Sequence, residues 1–444
     1  MKRYLFTLLL IMIIPLYAYA DIGINGYFQI DERYQLYETN DNVWHEYRLN
    51  LQFETDKNEN TNFYSELWIR SWEFTEINNS SDLTDSDKIS PYDIEIREAY
   101  VDFYNLGIKN LDLKVGRQRI AWGTGDKLNP TDNLNADDLE DLWDFGRHIG
   151  SDSIKVSYYF GEFKLELVYI PISKPAILPK GKAGELLFGT LDTPEGLVIN
   201  NYSENIILPL RNPKENSISG IRLSSNLFGF DFSVSYVYGR DDLPVIQKIT
   251  IYPTLIPGEV DVNAELIFPR LKVIGFDMAG AIGNVGIWAE TAYFIPEKVF
   301  MLTDFSGLGL PNNSMPVLDE PYFKYVIGGD YTFKNGVYLN GQYLHGFIHE
   351  RGEENLKDYF MFGVEYKCFN DKLKIIPIGG GIEIQDFHDI ENNYAIIGNP
   401  EIAYYPFQNS EFVLGCRFFD GKETTNFGKF KDYDEIYFRV KYNF

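Results

Sequence analysis

The closing segment of the chain, residues 434–444, constrains the fold more than any other stretch. Apolar side chains alternate there with polar ones, and the chain stops on an aromatic residue. The apolar set is Ile436, Phe438, Val440, Tyr442 and Phe444. A period of two predicts a β-strand, and an apolar face opposite a charged face is typical of a strand between lipid and water. An edge strand of a soluble sheet would seldom expose a terminal Phe.

Segments with the same alternation recur along the chain and are separated by turns of Gly, Asn, Asp and Lys. They comprise residues 22–35, 44–56, 61–74, 92–104, 111–121, 152–160, 163–171, 216–227, 229–239, 271–282, 285–295, 322–333, 336–346, 358–368, 372–387, 393–406, 409–419 and 434–444. The pattern predicts an all-β fold, a transmembrane antiparallel β-barrel of about 18 strands, with 16 to 20 as the acceptable range.

The connections between these segments alternate in length. Six are short, at residues 161–162, 228, 283–284, 334–335, 369–371 and 407–409. Six others are long, at residues 122–151, 172–215, 240–270, 296–321, 347–357 and 420–433. Tight periplasmic turns opposite long extracellular loops produce this rhythm in membrane barrels, whereas a soluble sandwich or propeller has no reason to show it.

Two irregularities qualify the pattern. The alternation slips by one residue around Arg97–Glu98 and again around Gly116–Arg117, which predicts a β-bulge near the rim of the barrel. The long connection 240–270 contains two further apolar runs. We therefore expect an additional hairpin there, outside the membrane.

The amino-terminal segment 1–20 has the composition of a secretory signal peptide. Lys2 and Arg3 precede an apolar run, and Ala18-Tyr19-Ala20 fits the small-x-small cleavage rule. We therefore expect a cleaved signal, a mature barrel over residues 21–444, and an integral protein of the outer membrane. Past Ala20 no stretch approaches the roughly 20 apolar residues of a helical membrane span. The 16% aromatic content suits the aromatic girdles of a barrel.

Charged residues of the polar parity should face the barrel interior, and their two signs nearly cancel. The net charge of −25 must then come mostly from loops and turns. The wall residues predicted to line the pore are Arg48, Arg70, Glu66, Asp102 and Lys114. Two cysteines, Cys368 and Cys416, fall on the apolar parity of separate strands, so we expect no disulfide between them.

Something must narrow a barrel of this width, and the best candidate is the connection 122–151. It combines turn residues with a capping signature at Asn135 or Asp137, which predicts a short helix through Leu142. It is also strongly acidic, and the carboxylates predicted to form the constriction are Asp126, Asp132, Asp137, Asp138 and Asp141. We expect it to fold into the lumen opposite basic wall residues such as Arg117 and Arg119. The alternative is an outer loop lying over the rim.

Catalysis and cofactor binding have little support. The spacing of the acidic residues in 122–151 matches no EF-hand or glycine-aspartate repeat, so no metal site is predicted. The five His are scattered, and neither Gly-x-Ser-x-Gly nor His-Glu-x-x-His occurs. Basic patches for nucleic acid are absent as well. We therefore predict no enzyme, no cofactor and no nucleic-acid partner.

Three blocks carry a resemblance to a known family. Residues 97–102 (Arg-Glu-Ala-Tyr-Val-Asp), 115–123 (Val-Gly-Arg-Gln-Arg-Ile-Ala-Trp-Gly) and 129–135 (Asn-Pro-Thr-Asp-Asn-Leu-Asn) resemble a widespread family of bacterial outer-membrane porin-like proteins. The first two also look like those of the alginate-export porins. The terminal strand ending at Phe444 resembles the signal that the barrel-assembly machinery reads in Gram-negative bacteria. The resemblance implies a diffusion or export channel and supplies no catalytic residues.

The sequence thus leads us to expect a passive outer-membrane channel for small hydrophilic solutes, with membrane lipid and the barrel-assembly machinery as further partners. One alternative is a surface binding or adhesion barrel that acts through the loops 172–215, 240–270 and 296–321. Another is a polysaccharide-export channel. The near balance of lumen charges disfavours alginate and other strongly anionic polymers.

Overall fold

The computed structural model describes residues 22–36, 42–55, 60–72, 77, 79–180, 182–188 and 198–444. The predicted signal peptide, residues 1–20, lies outside the described residues. The described residues therefore all belong to the predicted mature chain.

Eighteen antiparallel strands form one closed barrel, when β21 and β22 are counted as two pieces of a single strand. The strands are β1 Ile22–Gln35, β2 Asn42–Thr55, β3 Thr61–Trp72, β4 Tyr92–Phe103, β5 Leu111–Gln118, β6 Ser151–Phe160, β7 Phe163–Ile170, β9 Ile218–Leu227, β10 Phe230–Arg240, β13 Arg270–Ile282, β14 Val285–Pro296, β17 Tyr322–Thr332, β18 Val337–His345, β19 Asp358–Cys368, β20 Leu373–Ile384, β21 Tyr394–Gly398, β22 Glu401–Tyr404, β23 Ser410–Gly421 and β24 Glu435–Asn443. The predicted fold class and strand number are confirmed.

The barrel closes where the first strand meets the last. β1 pairs with β24 from Tyr27 opposite Asn443 to Gln35 opposite Glu435, while its other edge pairs with β2. Each strand therefore has a hydrogen-bonded neighbour on both sides, so the sheet leaves no long free edge.

Side chains alternate between the two faces of the barrel as the pattern of period two requires. In β10, Val234 and Tyr236 are exposed on the outer face, whereas Ser233, Ser235 and Val237 are buried on the inner face. The terminal strand behaves in the same way. Because the outward-facing residues are predominantly apolar, the barrel has an apolar outer surface around a more polar interior.

The connections differ at the two ends of the barrel. At one end, tight turns join neighbouring strands, and the turn at Phe228 and Gly229 has both residues at positive φ (57° and 80°). At the other end most connections are longer, and they carry the secondary structure outside the barrel strands that the described residues show. This is the alternation that the sequence predicted.

A second sheet of five strands is built by three of the long connections. Its strands are β8 Val198–Ile207, β11 Val245–Pro253, β12 Glu259–Ile267, β15 Val299–Asp304 and β16 Asn313–Leu318, in the order β16-β15-β11-β12-β8. β11 and β12 form the additional hairpin expected in 240–270. The parallel pairings of β12 with β8 and of β11 with β15 were not foreseen, because pairing between separate loops leaves no local signal in the sequence.

Helices are few and short. The α-helices are α1 Ser86–Ile89, α2 Lys182–Phe188 and α3 Pro213–Asn216, and the 3₁₀ helices are Asp82–Thr84, Ser306–Leu308, Glu353–Asn355, Ile390–Asn392 and Gly428–Phe430. Within the described ranges, none of the helices has the length and apolar character needed to cross a membrane.

Two local expectations had different outcomes. The slip near Arg97 is a true bulge, because β4 skips that residue in its pairing with β3, where Glu98 lies opposite Glu66 and Ile96 opposite Leu67. The predicted short helix from Asn135 or Asp137 through Leu142 is wrong. That stretch consists of turns and two isolated bridges, because its polar groups bond to distant parts of the barrel instead of capping a helix.

Candidate functional site

The connection between β5 and β6, residues 119–150, is anchored at its base by one side chain. The Asn135 side-chain oxygen accepts the backbone N–H of Ile120 at 2.7 Å. Its amide nitrogen donates to the backbone carbonyls of Gln118 at 3.2 Å and Ile149 at 3.1 Å. One amide thus ties together the outgoing and returning arms of the loop, which explains why Asn135 does not cap a helix.

Glu290, on the inner face of β14, holds the tip of the 119–150 loop. Its carboxylate accepts backbone N–H groups from Thr124 at 2.9 Å, Gly125 at 3.1 Å and Thr131 at 2.6 Å. The hydroxyl of Thr131 donates a fourth bond at 2.8 Å. Gly123 lies beside this carboxylate at a φ of +99°, and a Cβ built there would lie 2.7 Å from it. The loop therefore reaches wall strands far from its own ends.

The loop also contacts β18. The backbone carbonyl of Asp126 accepts from the Gln342 side chain at 3.1 Å, and its carboxylate accepts from Asn340 at 3.3 Å. Leu128 belongs to a buried apolar cluster that includes Val326 and Phe347. Polar and apolar contacts together fix this side of the loop against the inner wall.

Three arginines on the opposite side of the barrel bind three acidic residues of the loop. Arg33 of β1 donates to Asp141 at 2.8 and 2.5 Å. The guanidinium of Arg70, on β3, forms an ion pair with Glu140. Arg97, the bulge residue of β4, lies 2.9 Å from the Asp138 carboxylate. All six side chains are largely buried, so each charge is compensated by a partner rather than by water.

Tryptophan rings cover the faces of these cations. The Arg48 guanidinium lies 4.0 Å and that of Arg97 lies 4.3 Å from the centre of the Trp68 ring. Arg33 lies 4.6 Å from the centre of the Trp44 ring in the same manner. Cation–π contacts of desolvated guanidinium groups add to the ion pairs and restrict the rotamers of the arginines.

A fourth contact lies against β23 and the last long connection. The Trp143 ring of the loop packs on Phe419 with centroids 5.0 Å apart and on Phe430 at 5.3 Å. The Arg417 guanidinium lies 5.6 Å from the centre of the same ring and forms an ion pair with Glu435. Trp143 thus bridges the loop to the strands that precede barrel closure.

A compact charge network links the loop to two other long connections. The backbone N–H of Asp137 donates to the Asp242 carboxylate at 2.7 Å. Asp242 lies 3.4 Å from Arg351, which also binds Asp241 at 2.6 Å. Burial raises the pKa of Asp137 to about 7. Burial, followed by the charge of Asp137, raises the pKa of Asp242 to about 7 as well. Two carboxyl groups in this network therefore titrate near neutral pH.

The predicted wall residues have nearby partners of their own. Arg48 donates to Glu46 at 2.8 Å, and Asp102 lies 3.4 Å from Lys114. Glu66 accepts from Asn50 at 2.6 Å. These inward-facing residues form a lumen wall of paired charges. Of the predicted wall residues, Arg70 reaches the loop, where it pairs with Glu140.

The two arginines expected to face the loop differ. Arg119, the first residue of the loop rather than part of the wall, forms an ion pair with Asp132 of the same loop. Arg117 instead shares the parity of exposed Val115 and binds Asp152 of β6 at 2.9 Å. This corrects the predicted orientation of Arg117, because strand alternation places its side chain on the outer face of the barrel near the end of β5.

Sequence reasoning missed five residues that now define the site: Arg33, Arg97, Trp143, Asp242 and Arg351. Glu290 and Arg417 have the polar parity that predicts an inward-facing side chain, and only their contacts with the loop were not foreseen. Parity alone would have found Arg33, which alternates correctly with outward-facing Tyr34. The others depend on which long connection meets which wall strand, and that information is not local. Within the described residues, no three His, Cys, Asp or Glu side chains converge to form a metal site.

Comparisons with known proteins add similarity of shape alone. No protein-family model and no curated protein sequence matches this chain. Among solved structures, OmpF of Salmonella typhi in complex with daunomycin is 10% identical, with a TM-score of 0.41, over 96% of this chain and 98% of that one. In vitro folded OmpT of Vibrio cholerae is 9% identical with a TM-score of 0.40, over 96% and 98%. A mutant of the Rh. blastica porin is 11% identical with a TM-score of 0.42, over 96% and 100%. Similarities this distant carry no argument about function.

Proposed function

We propose that the protein is an outer-membrane channel that lets small hydrophilic solutes pass passively. The observation that carries this proposal is a closed barrel of eighteen strands with an apolar outer face and a wall of polar and charged residues inside. A barrel of this strand number is too wide for its own wall side chains to fill. An apolar exterior suits lipid, and the polar interior suits a water-filled conduit.

In this proposal the 119–150 loop is the constriction. The loop contacts Glu290 of β14 and Gln342 of β18 on one side of the barrel and Arg33 of β1 on the other side. These contacts support a position of the loop across the lumen. The residues proposed to line the pore and its constriction are Arg48, Arg70, Glu66, Asp102, Lys114, Arg119, Asp126, Asp132, Asp137, Asp138 and Asp141. Many of these charges are paired, so we expect selection mainly by width.

Conductance of the purified protein tests the proposal. The detergent-solubilised barrel, refolded or extracted from membranes, is added to planar bilayers at several salt concentrations. We expect discrete current steps of uniform size, and liposomes that contain the protein should swell in solutions of small sugars and amino acids. A folded barrel that gives neither current steps nor swelling would overturn the proposal. Heat-denatured protein at the same concentration is the control.

One observation favours a second function, surface binding through the long connections. The five-stranded sheet exposes large apolar side chains, among them Tyr252, Ile206 and Phe300, which solvated loops normally avoid. Deleting residues 246–266 tests this possibility. If the deletion variant conducts as the wild type does but cells that express it lose adhesion to surfaces or to other cells, the sheet has a binding function in addition to the channel.

A further inference from the structure

We propose that solutes cross the 119–150 loop beside the Trp143 ring, and that this passage favours neutral solutes with one apolar face over ions. The inference rests on the proposed channel function and specifies its route and its substrate class. Two cavities on either side of the ring carry it.

The outer cavity has a volume of about 380 Å³ and lies between the loop, β1–β3, α2 and the last long connection. Aromatic rings dominate its lining, which includes Trp44, Trp72, Trp143, Phe430 and Tyr433. Its cations are compensated: Arg33 binds Asp141 at 2.5 Å, and Lys180 binds Glu140 at 2.9 Å. A solute therefore meets ring faces and paired charges rather than a field of one sign.

The inner cavity has a volume of about 360 Å³ and lies between the loop and β18–β23. Four uncharged polar residues, Tyr338, Asn340, Gln342 and Asn399, line it together with charges of both signs from Asp126, Lys127 and Arg417. Hydroxyl and amide groups exchange hydrogen bonds with solute hydroxyls without requiring a counter-ion. A neutral hydroxylated solute therefore suits both cavities.

Trp143 lines both cavities and, among the described residues that line them, is the one that they share. The ion pair between Arg417 and Glu435 also lies between the two cavities, because Arg417 lines the inner cavity and Glu435 lines the outer one. The ring is held by ring contacts with Phe419 and Phe430 at 5.0 and 5.3 Å. Trp143 is therefore the partition between the two spaces, and a rotation or removal of its side chain joins them.

The first experiment replaces the ring. In planar bilayers, Trp143→Ala should raise single-channel conductance by about two-fold or more, because the narrowest part of the path widens. Tyr159→Ala is the control. Tyr159 is an inward-facing aromatic residue on β6 that lines neither cavity, so the conductance of this variant should stay at the wild-type value.

A cysteine variant separates widening of the path from loosening of the loop. Trp143→Cys and Tyr159→Cys are made in a background with Cys368→Ser and Cys416→Ser, since both native cysteines are free. A neutral, bulky methanethiosulfonate reagent should lower the current through the Trp143→Cys channel and leave the Tyr159→Cys channel unchanged. If the two variants respond alike, Trp143 does not line the path.

Liposome swelling tests the solute class with three molecules of nearly equal size: glucose, gluconate and glucosamine. Glucose should enter at least as fast as either ion, and the Trp143→Ala variant should accelerate all three. A clear preference for one ion would overturn the proposed class. Absence of any wild-type current would overturn the channel function itself, whereas wild-type current that Trp143 variants leave unchanged would overturn the route alone.

Discussion

The Glu290 carboxylate of β14 accepts both the backbone N–H and the hydroxyl of Thr131, at 2.6 and 2.8 Å, although the two residues are 159 positions apart. A buried carboxylate that receives this many hydrogen bonds is a strong local anchor, since charge-assisted bonds are stronger than neutral ones. The same oxygens bind the N–H groups of Thr124 and Gly125. One wall residue therefore binds three backbone N–H groups of the loop tip, in addition to the contacts that Asp126 makes with β18.

Replacement of that anchor should loosen the loop without opening the barrel. In Glu290→Gln, an amide nitrogen replaces one acceptor oxygen and faces N–H donors, so we expect a loss of about 1–3 kcal/mol in the stability of the loop. The channel should show more frequent transitions between conductance levels, measured in single-channel records. Glu162→Gln, at an exposed turn between β6 and β7, is the control. If Glu290→Gln shows no more transitions between conductance levels than the wild type, Glu290 does not anchor the loop.

Gly123 offers a test of the close approach between loop and wall. Gly123→Ala adds a Cβ at a φ of +99° and 2.7 Å from the Glu290 carboxylate, so it combines backbone strain with a clash. Gly161→Ala is the matched control, because Gly161 also has a positive φ (+58°) but no neighbour within 4 Å of a Cβ. Thermal unfolding should show a larger loss of stability at position 123. Equal losses would mean that the clash is absent.

The sequence predicted the barrel well because alternation and turn residues are local signals. The ends of β1 and β19, at 22–35 and 358–368, coincide with the predicted limits. The contacts of the candidate site were harder to predict from the sequence. Acidic side chains in 122–151 were recognised, but several of their partners lie far along the chain: Arg33 is 108 positions from Asp141, and the closed barrel brings them together. The helix predicted from Asn135 failed for a more local reason, because the side-chain amide of Asn135 binds the two arms of the loop instead of capping a helix.

The network around Asp137 and Asp242 predicts a stability that depends on pH. Because burial raises the pKa of each carboxyl group from 3.8 to about 7, the folded network binds protons more tightly than the unfolded chain. The contribution is fully present below pH 3.8 and is lost as the pH rises through about 7. Buried His349, whose pKa is lowered to about 3, acts in the opposite direction below pH 6.5. In thermal unfolding in detergent between pH 5 and pH 8, the wild-type midpoint should therefore fall relative to that of a variant without the two carboxyl groups.

An amide mimics the neutral carboxyl group, so Asp137→Asn combined with Asp242→Asn should flatten that pH profile. Asp261→Asn, in β12 of the outer sheet, is a carboxylate away from the network and should keep the wild-type slope. A double variant with an unchanged slope would locate the titration elsewhere.

The ion pair of Arg33 with Asp141 is suited to a double-mutant cycle. Arg33 also pairs with buried Asp31 at 3.0 Å, so Arg33→Gln leaves two buried carboxylates without their partner and should cost about 3–5 kcal/mol. Asp141→Asn should cost less, because Arg33 keeps its bond to Asp31. The double variant should cost clearly less than the sum of the two single changes. Unfolding in urea provides the four free energies. Additive losses would mean that the two side chains do not interact in the folded protein.

The proposal that the assembly machinery recognises Phe444 can be tested separately from the contribution of this residue to stability. Phe444 pairs with Gly26 through two backbone bonds at 3.0 and 3.1 Å, and the residue is 45% exposed. Phe444→Ala should therefore refold in detergent nearly as well as the wild type, because backbone pairing does not depend on the ring. In Gram-negative cells the same variant should accumulate much less in the outer membrane, if the assembly machinery reads the terminal aromatic residue. Phe369→Ala, at an exposed turn, is the control for loss of an exposed aromatic residue. Equal defects in detergent and in cells would show that the ring stabilises the barrel and is not a recognition signal.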